Sequence, residues 1–311
     1  MRNAFFRTLV ELAAEEERIT LVVGDLGYGA VEPFADRFPA RFLNVGVSEQ
    51  NMTGIAAGLA LSGRIVFTYS IANFPTLRCL EQVRNDVCYH QADVKVVAVG
   101  GGFAYGALGM THHATEDLAI MRTLPNMLVV APGDPTEVEL ATRAIARRPG
   151  PCYLRLGRTG ETRIHATPPP FELGKALRIR EGRDLTLIST GGMLATAVEV
   201  ADRLAGDGVN VRLLSMHTVK PLDAEAVLAA ARQTTAIVTL EEHSVLGGLG
   251  GAVAEVLAEA SSPKVPFRRF GLPSAFAREA GTQEYLRTRH GLSTDAILKA
   301  LEPLLQAASR L

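Results

Sequence analysis

Two hydrophobic rhythms alternate along the chain. Short apolar, β-branched runs are followed by longer stretches in which apolar residues recur every three or four positions, the marks of strand and helix. Residues 2 to about 17 carry the helical period, and ITLVVGDLG after them is a brief apolar run closed by glycine, as in a strand buried on both faces. VEPFADRFP predicts a helix closed by Pro39, FLNVG a second strand, RIVFTYS a third, TLRCLEQVRNDVCYH a helix and VKVVAVG a fourth strand. Glu116 to Thr123 predicts a helix, MLVVAP a strand, Pro135 to Arg147 a helix, and Cys152 to Leu156 an edge strand closing the first unit. Such alternation implies parallel strands with helices on both faces.

The rhythm breaks at HATPPP, where Pro168, Pro169 and Pro170 form a semi-rigid extended connection. It then restarts. DLTLIST, VNVRLLSM, TAIVTLEE and PFRRFGLP predict strands, with helices at MLATAVEVADRLAGDG, AEAVLAAARQ and GGLGGAVAEVLAEA between them. A last helix is expected from Thr294 to about Glu302, capped by Ser293 and ended or kinked by Pro303. The fold class expected is therefore α/β, with two doubly wound, mainly parallel sheets. The expected domains are 1–165 and 184–311, joined by a linker at 166–183.

Composition narrows the function classes. Hydrophobic residues make up 47% of 311, enough for sizeable cores, and the net charge of −1 gives no basis for binding nucleic acid or an anionic membrane. No stretch approaches a membrane-spanning length, and the N-terminus has the pattern of an amphipathic helix rather than a signal peptide. Cys79, Cys88 and Cys152 are odd in number and lack metal-ligand spacing, which fits small core residues in a reducing, cytoplasmic compartment.

The stretch Asn44 to Leu61, NVGVSEQNMTGIAAGLAL, stands apart. Met52, Ile55, Ala56 and Leu59 share a helix face, while Gly54, Ala57 and Gly58 leave room for another backbone. Two glycines weaken the helix by roughly 1 kcal/mol each against alanine, so packing must hold it, and a buried helix is expected. Its single acid is Glu49. As a first-turn acid it complements the helix dipole; as a buried one it suits chemistry. The segment VGVSEQNMTGIAAGLA resembles the pyrimidine-binding motif of thiamine-diphosphate enzymes of the transketolase type. In that family the matching glutamate lies against the cofactor's aminopyrimidine ring.

A second segment, GMTHHATEDLAIMRTLP, resembles the family's glycine-rich loop followed by a Thr-His pair. His112 matches the histidine placed near the cofactor C2 and the donor substrate. Adjacent helix residues diverge, so His112 and His113 do not suit one metal; surface or capping roles are the alternative. The resemblance extends through VVGDLG, APGDP, LRLGR, STGG, HTVKPLD and EEHSVLGGLG. It implies that Phe74 stacks on the pyrimidine, against a core phenylalanine as the plain alternative. It implies that Asp25 lies near the cofactor, the alternative being a turn cap. Arg158 and Arg2 match arginines that sugar-phosphate transketolases keep, and a forked guanidinium suits phosphate; solvated surface arginines are the alternative. The family's C-terminal domain is mainly structural, so Glu242 and His243 are expected to be structural too.

Two departures matter. The family's magnesium-diphosphate motif is GDG followed several turns later by asparagine. Here Gly206-Asp207-Gly208 follows a helix and no asparagine occurs beyond Asn210, so it is expected to be a helix C-terminal turn. Gly247 to Gly251 lacks the GxGxxG spacing of a dinucleotide fingerprint. The resemblance therefore implies a split enzyme, an α2β2 heterotetramer in which a partner chain holds the diphosphate and Mg2+ while this chain activates the ring. It implies two-carbon ketol transfer from a ketose to an aldose, with Glu49 hydrogen-bonding the ring as a carboxyl that retains its proton. The loop GGGFAYGAL lacks the family's phosphate-contacting histidine and aspartate, which points to a related or modified ketose. The alternatives are the β subunit of a 2-oxoacid dehydrogenase and a non-catalytic partner subunit.

Overall fold

The computed structural model describes residues 1–261 and 265–308. Helix α1 (Arg2–Glu15) is followed by β1 (Ile19–Val23), α2 (Glu32–Arg37), β2 (Phe42–Asn44) and α3 (Glu49–Leu61). After β3 (Ile65–Ile71) comes a partly π-helical segment, Phe74–Arg78 and Val83–Tyr89 with α4 (Leu80–Gln82) between them. Then follow β4 (Val94–Val99), α5 (Asp117–Thr123), β5 (Leu128–Val130), α6 (Pro135–Arg147) and β6 (Cys152–Leu156). The second half supplies β7 (Leu177–Arg180), β8 (Leu185–Ser189), α7 (Leu194–Gly206), β9 (Val211–Ser215), β10 (Thr218–Lys220) and α8 (Ala224–Gln233). It ends with β11 (Ile237–Ser244), α9 (Leu249–Glu259), β12 (Phe267–Leu272), α10 (Gln283–Arg289) and α11 (Thr294–Ala308).

The first sheet has the order β10-β5-β6-β4-β3-β1-β2 and the second β12-β11-β8-β9-β7. All neighbours are parallel except β10 against β5 and β7 against β9. The buried apolar runs ITLVV, IVFTYSI and VKVVAV lie side by side at the centre of the first sheet, as strands covered on both faces must. Phe67 and Tyr69 of β3 face the core under α1, whereas Val66 and Ala72 face the core under α3. That alternation puts Tyr69 and Ser70, at the C-terminal end of β3, on opposite faces.

Several expectations change. Cys152–Leu156 is not at an edge: β6 lies between β4 and β5. The edge beyond β5 is closed by β10, which the second half sends into the first sheet. Strand β7 falls within residues 166–183, where sequence composition suggested only a linker. Helix α3 is buried on one face only. Met52, Thr53, Ala56 and Ala57 pack inward, while Gly54 and Gly58 have nothing within 4 Å of where a Cβ would stand. Helix α11 runs through Pro303 instead of ending there. Helix α10 was not anticipated. Gly206 does end α7, with Gly208 at φ +82°, so the GDG run is a helix terminus. The three cysteines are buried and free, and among the described residues no helix is long and apolar enough to cross a membrane.

Candidate functional site

Glu49 opens α3 at the C-terminal end of the central strands, where open α/β sheets place ligands. Its side chain is 1% exposed and wedged between the β1 exit and β3. A Cβ on Gly24 would stand 3.4 Å from Glu49 Cγ, so glycine there leaves the carboxyl room to lie down. The two carboxyl oxygens have unequal company. Arg78 Nη1 donates to Oε2 at 2.7 Å, while Oε1 accepts only a long 3.4 Å bond from the Ser70 hydroxyl. One oxygen is held and the other is left with spare capacity.

The partly π-helical segment positions the rest. Pro75 lies at its start and Thr76 donates its hydroxyl to Ala72 O at 2.5 Å, groups that perturb regular α-helical bonding. The half-buried Phe74 then lies edge-on to His112, with ring centroids 5.3 Å apart, and the Arg78 guanidinium sits 5.0 Å over the Phe74 ring. Glu49, Arg78, Phe74 and His112 thus form one continuous chain of contacts. Thr111 Oγ1 lies 3.0 Å from His112 Nδ1, and Asn73 donates to Thr111 O at 3.1 Å, which ties the Thr-His loop to the same segment. His113 turns the other way. It is buried beside Phe103 with Nε2 3.4 Å from Gly106 O, and burial pushes its imidazole below the ordinary range.

Asp25 follows Gly24 on the lip of the site in a left-handed conformation, φ +55°. Tyr28 and Asn44 donate to its Oδ1 at 2.6 and 2.9 Å and hold the carboxyl below its usual range. Arg158 and Arg2 form a separate group on the α1 side. The Arg2 backbone N–H donates to Arg158 O at 2.9 Å. Arg158 Nη1 donates to Ala104 O at 3.2 Å, and its guanidinium lies 4.7 Å over the Tyr105 ring. Tyr105 belongs to the Gly100–Leu108 loop, so this arginine is braced by the segment that departs from the family pattern. Glu242 receives Phe103 N–H, Gln283 and Arg287, and His243 Nε2 accepts from Ala119 N–H. Both residues bind the halves of the chain together, as structural residues do.

Sequence reasoning missed Arg78. The available signal was its position four residues after Phe74, which on a helical segment puts the two on neighbouring faces. It also passed over Asp134, Glu137 and His165, whose ligand-type atoms lie within 4.8 Å of one another. Their capacity is already used. Asp134 accepts from the backbone of Glu137, Ile164 and His165, and Glu137 accepts from Gly133 N–H, Ser215 and His165. That cluster fastens residues 164–165 to α6.

Relatives place this geometry. Residues 1–160 match the transketolase pyrimidine binding domain and residues 174–297 the transketolase C-terminal domain. The chain is 41% identical over 301 residues to a 6-deoxy-6-sulfo-D-fructose transketolase subunit of Clostridium sp. (strain MSTE9), covering 96% of this chain and 92% of that one. It is 40% identical over 304 residues to an apulose-4-phosphate transketolase subunit of Phocaeicola vulgatus, covering 97% of this chain and 96% of the relative. Among solved structures, a split-gene transketolase described as an inactive beta4 tetramer superposes with a TM-score of 0.88 at 38% identity, covering 98% of this chain and 97% of the other. With both domain families matched in order along nearly its whole length, the chain belongs to the transketolase family.

Proposed function

We propose that this chain is the small subunit of a two-component transketolase that moves a two-carbon ketol unit from a ketose to an aldose, with Glu49 as the residue that engages the cofactor's aminopyrimidine. The observation that carries the reading is the half-satisfied carboxyl: a glutamate 1% exposed, at a helix mouth, with Oε1 short of a strong partner. The pyrimidine end of thiamine diphosphate suits these residues. Glu49 would meet a ring nitrogen, Phe74 would offer an aromatic face, and Asp25 lies on the lip. The diphosphate and Mg2+ end does not suit them, because Gly206-Asp207-Gly208 is occupied in ending a helix. A partner chain carrying the diphosphate-binding domain completes the site, in an α2β2 assembly. Thiamine diphosphate, when bound, would supply the carbanion chemistry that ketol transfer needs.

The chain's own groups do the rest. His112, steadied by Thr111, orients and exchanges protons with the sugar oxygens. Arg158 and Arg2, the separate pair on the α1 side, would supply the cations for an anionic terminus of the sugar. The named relatives take a sulfo-sugar and a sugar phosphate, and with the unusual Gly100–Leu108 loop this supports a modified, anionic ketose as substrate. The test mixes this chain, its partner, thiamine diphosphate, Mg2+ and ketose phosphates. Glu49→Ala should lower turnover by about 10²- to 10⁴-fold, the usual weight of an acid–base group, with the complex intact by sedimentation. Unchanged turnover refutes the assignment.

A further inference from the structure

We propose that Arg78 is a latch on the cofactor site: in the free chain its guanidinium holds Glu49, and cofactor docking exchanges that ion pair for the ring, with uptake of one proton from solvent. The inference rests on the function proposed above and adds a regulated step to it.

Four observations lead here. Arg78 Nη1 lies 2.7 Å from Glu49 Oε2. A carboxylate paired with a guanidinium is an acceptor, whereas the proposed role asks the same carboxyl to share a proton with a ring nitrogen. A carboxyl that keeps its proton for the ring is neutral, and a neutral carboxyl no longer pairs as an anion with Arg78. The side chain of Arg78 is 48% exposed and that of Glu49 1%, so the arginine can leave and the glutamate cannot. Finally, there is somewhere for it to go. Arg78 and Phe74 line a cavity of about 840 Å³ between the halves of the chain, bounded also by Leu77, Met110 and Phe276. The Phe74 ring, already 5.0 Å from the guanidinium, can keep the cation company as it withdraws.

The proton balance is simple. Arg78 keeps its charge throughout. Before exchange, the pair is a guanidinium and a carboxylate; afterwards Glu49 is a neutral carboxyl that carries the additional proton and donates it in a hydrogen bond to the ring nitrogen. Among the described residues, no neighbour on the packed elements competes for that proton. Ser70 is a neutral hydroxyl, Asp25 is pinned by Tyr28 and Asn44, and the Cys79 thiol is pushed up to about 11, chiefly by burial.

The experiment uses the assembled two-subunit complex and titrates thiamine diphosphate with Mg2+ calorimetrically in buffers of different ionisation enthalpy. The wild-type complex should take up about one proton per site. Arg78→Met leaves a buried acid without its cation, so burial favours the protonated form before the cofactor arrives. Uptake should then fall close to zero and binding should tighten by up to about fivefold, the scale of one partly exposed ion pair. Arg78→Lys, which keeps the charge, should retain the uptake with intermediate affinity. Weaker binding in Arg78→Met, or unchanged uptake, overturns the latch. So does a crystal structure of the loaded complex in which Arg78 still touches Glu49, a readout needing no variant. The underlying reading fails separately: if Glu49→Gln keeps full turnover, the cofactor is not met by Glu49 at all. If Glu49→Gln loses turnover while the loaded complex keeps the ion pair, only the latch is wrong.

Discussion

The first half of the chain buries two carboxylates against arginines, and it treats them in opposite ways. Asp117 and Arg155 are sealed, with side chains 1% and 4% exposed. Arg155 gives Asp117 two bonds, at 2.7 and 3.1 Å, and spends its remaining reach on Ala114 O and Glu242 O. Tyr153 adds a third bond to the carboxylate at 2.6 Å. Burial pushes Asp117 up, but the Arg155 guanidinium, with His243 and Tyr153, outweighs it and leaves the carboxyl below its ordinary range. Glu49 is equally buried, yet its arginine stands half in solvent and one oxygen is nearly idle. A buried ion pair whose two carboxylate oxygens are both firmly held is a fastening. One with a half-exposed cation and a nearly idle oxygen is a place where something else can bind.

The widest gap between the two should appear in stability. Asp117→Ala strands the Arg155 charge in the interior and orphans the Tyr153 hydroxyl. Removing one partner of such a pair costs about 3–5 kcal/mol, to be measured from urea unfolding midpoints. The double variant Asp117→Leu with Arg155→Met should recover most of that loss, because it removes the stranded charge as well. A single-variant loss under about 1 kcal/mol would show that the pair is not a fastening.

The sequence made one of these regions far more legible than the other. Strand positions followed from unbroken runs such as VKVVAV, and Glu49 and His112 stood out because the segments that carry them, VGVSEQNMTGIAAGLA and the Thr-His loop, resemble the family's motifs. Arg78 did not. Arginines on helices are common, and only the π-helical turn around Phe74 and Pro75 aims this one at Glu49. The place of β6 inside the sheet was hidden for a different reason. The chain passes from β5 back inside it, so that β6 slots between β4 and β5, and local periodicity carries no information about that strand order. The open face of α3 was misjudged because glycine fits both a close backbone approach and empty space.

A smaller effect is expected at Glu49. Glu49→Gln keeps the shape and an acceptor oxygen for Arg78, and the half-exposed guanidinium can turn to water. Stability should stay within about 1 kcal/mol of the parent chain while turnover of the complex is lost. A loss as large as that of Asp117→Ala would erase the distinction between fastening and site.

The smallest effect tests the same distinction in a pair that can be titrated. His165 Nε2 lies 3.0 Å from the fully buried Glu137 and is raised above its ordinary value of 6.5, first by that bond, against partial burial, and further by the charges of Glu137 and Asp134. A histidine raised in the folded state contributes its full stability below the unfolded value and loses it as pH rises through the folded one. Stability against urea should therefore fall as pH climbs above about 6.5, by less than about 1 kcal/mol once the solvent-facing part of the ring is discounted. His165→Ala should be flat over that range. His217, stacked on Phe171, is pushed down to about 4 by burial and acts in the other direction: it weakens the fold as pH drops below 6.5, so the two windows do not overlap. If the alkaline slope survives in His165→Ala, the Glu137 contact is not what holds residues 164–165 to α6. That cluster would then belong with the exchangeable pair at Glu49 and not with the sealed one at Asp117.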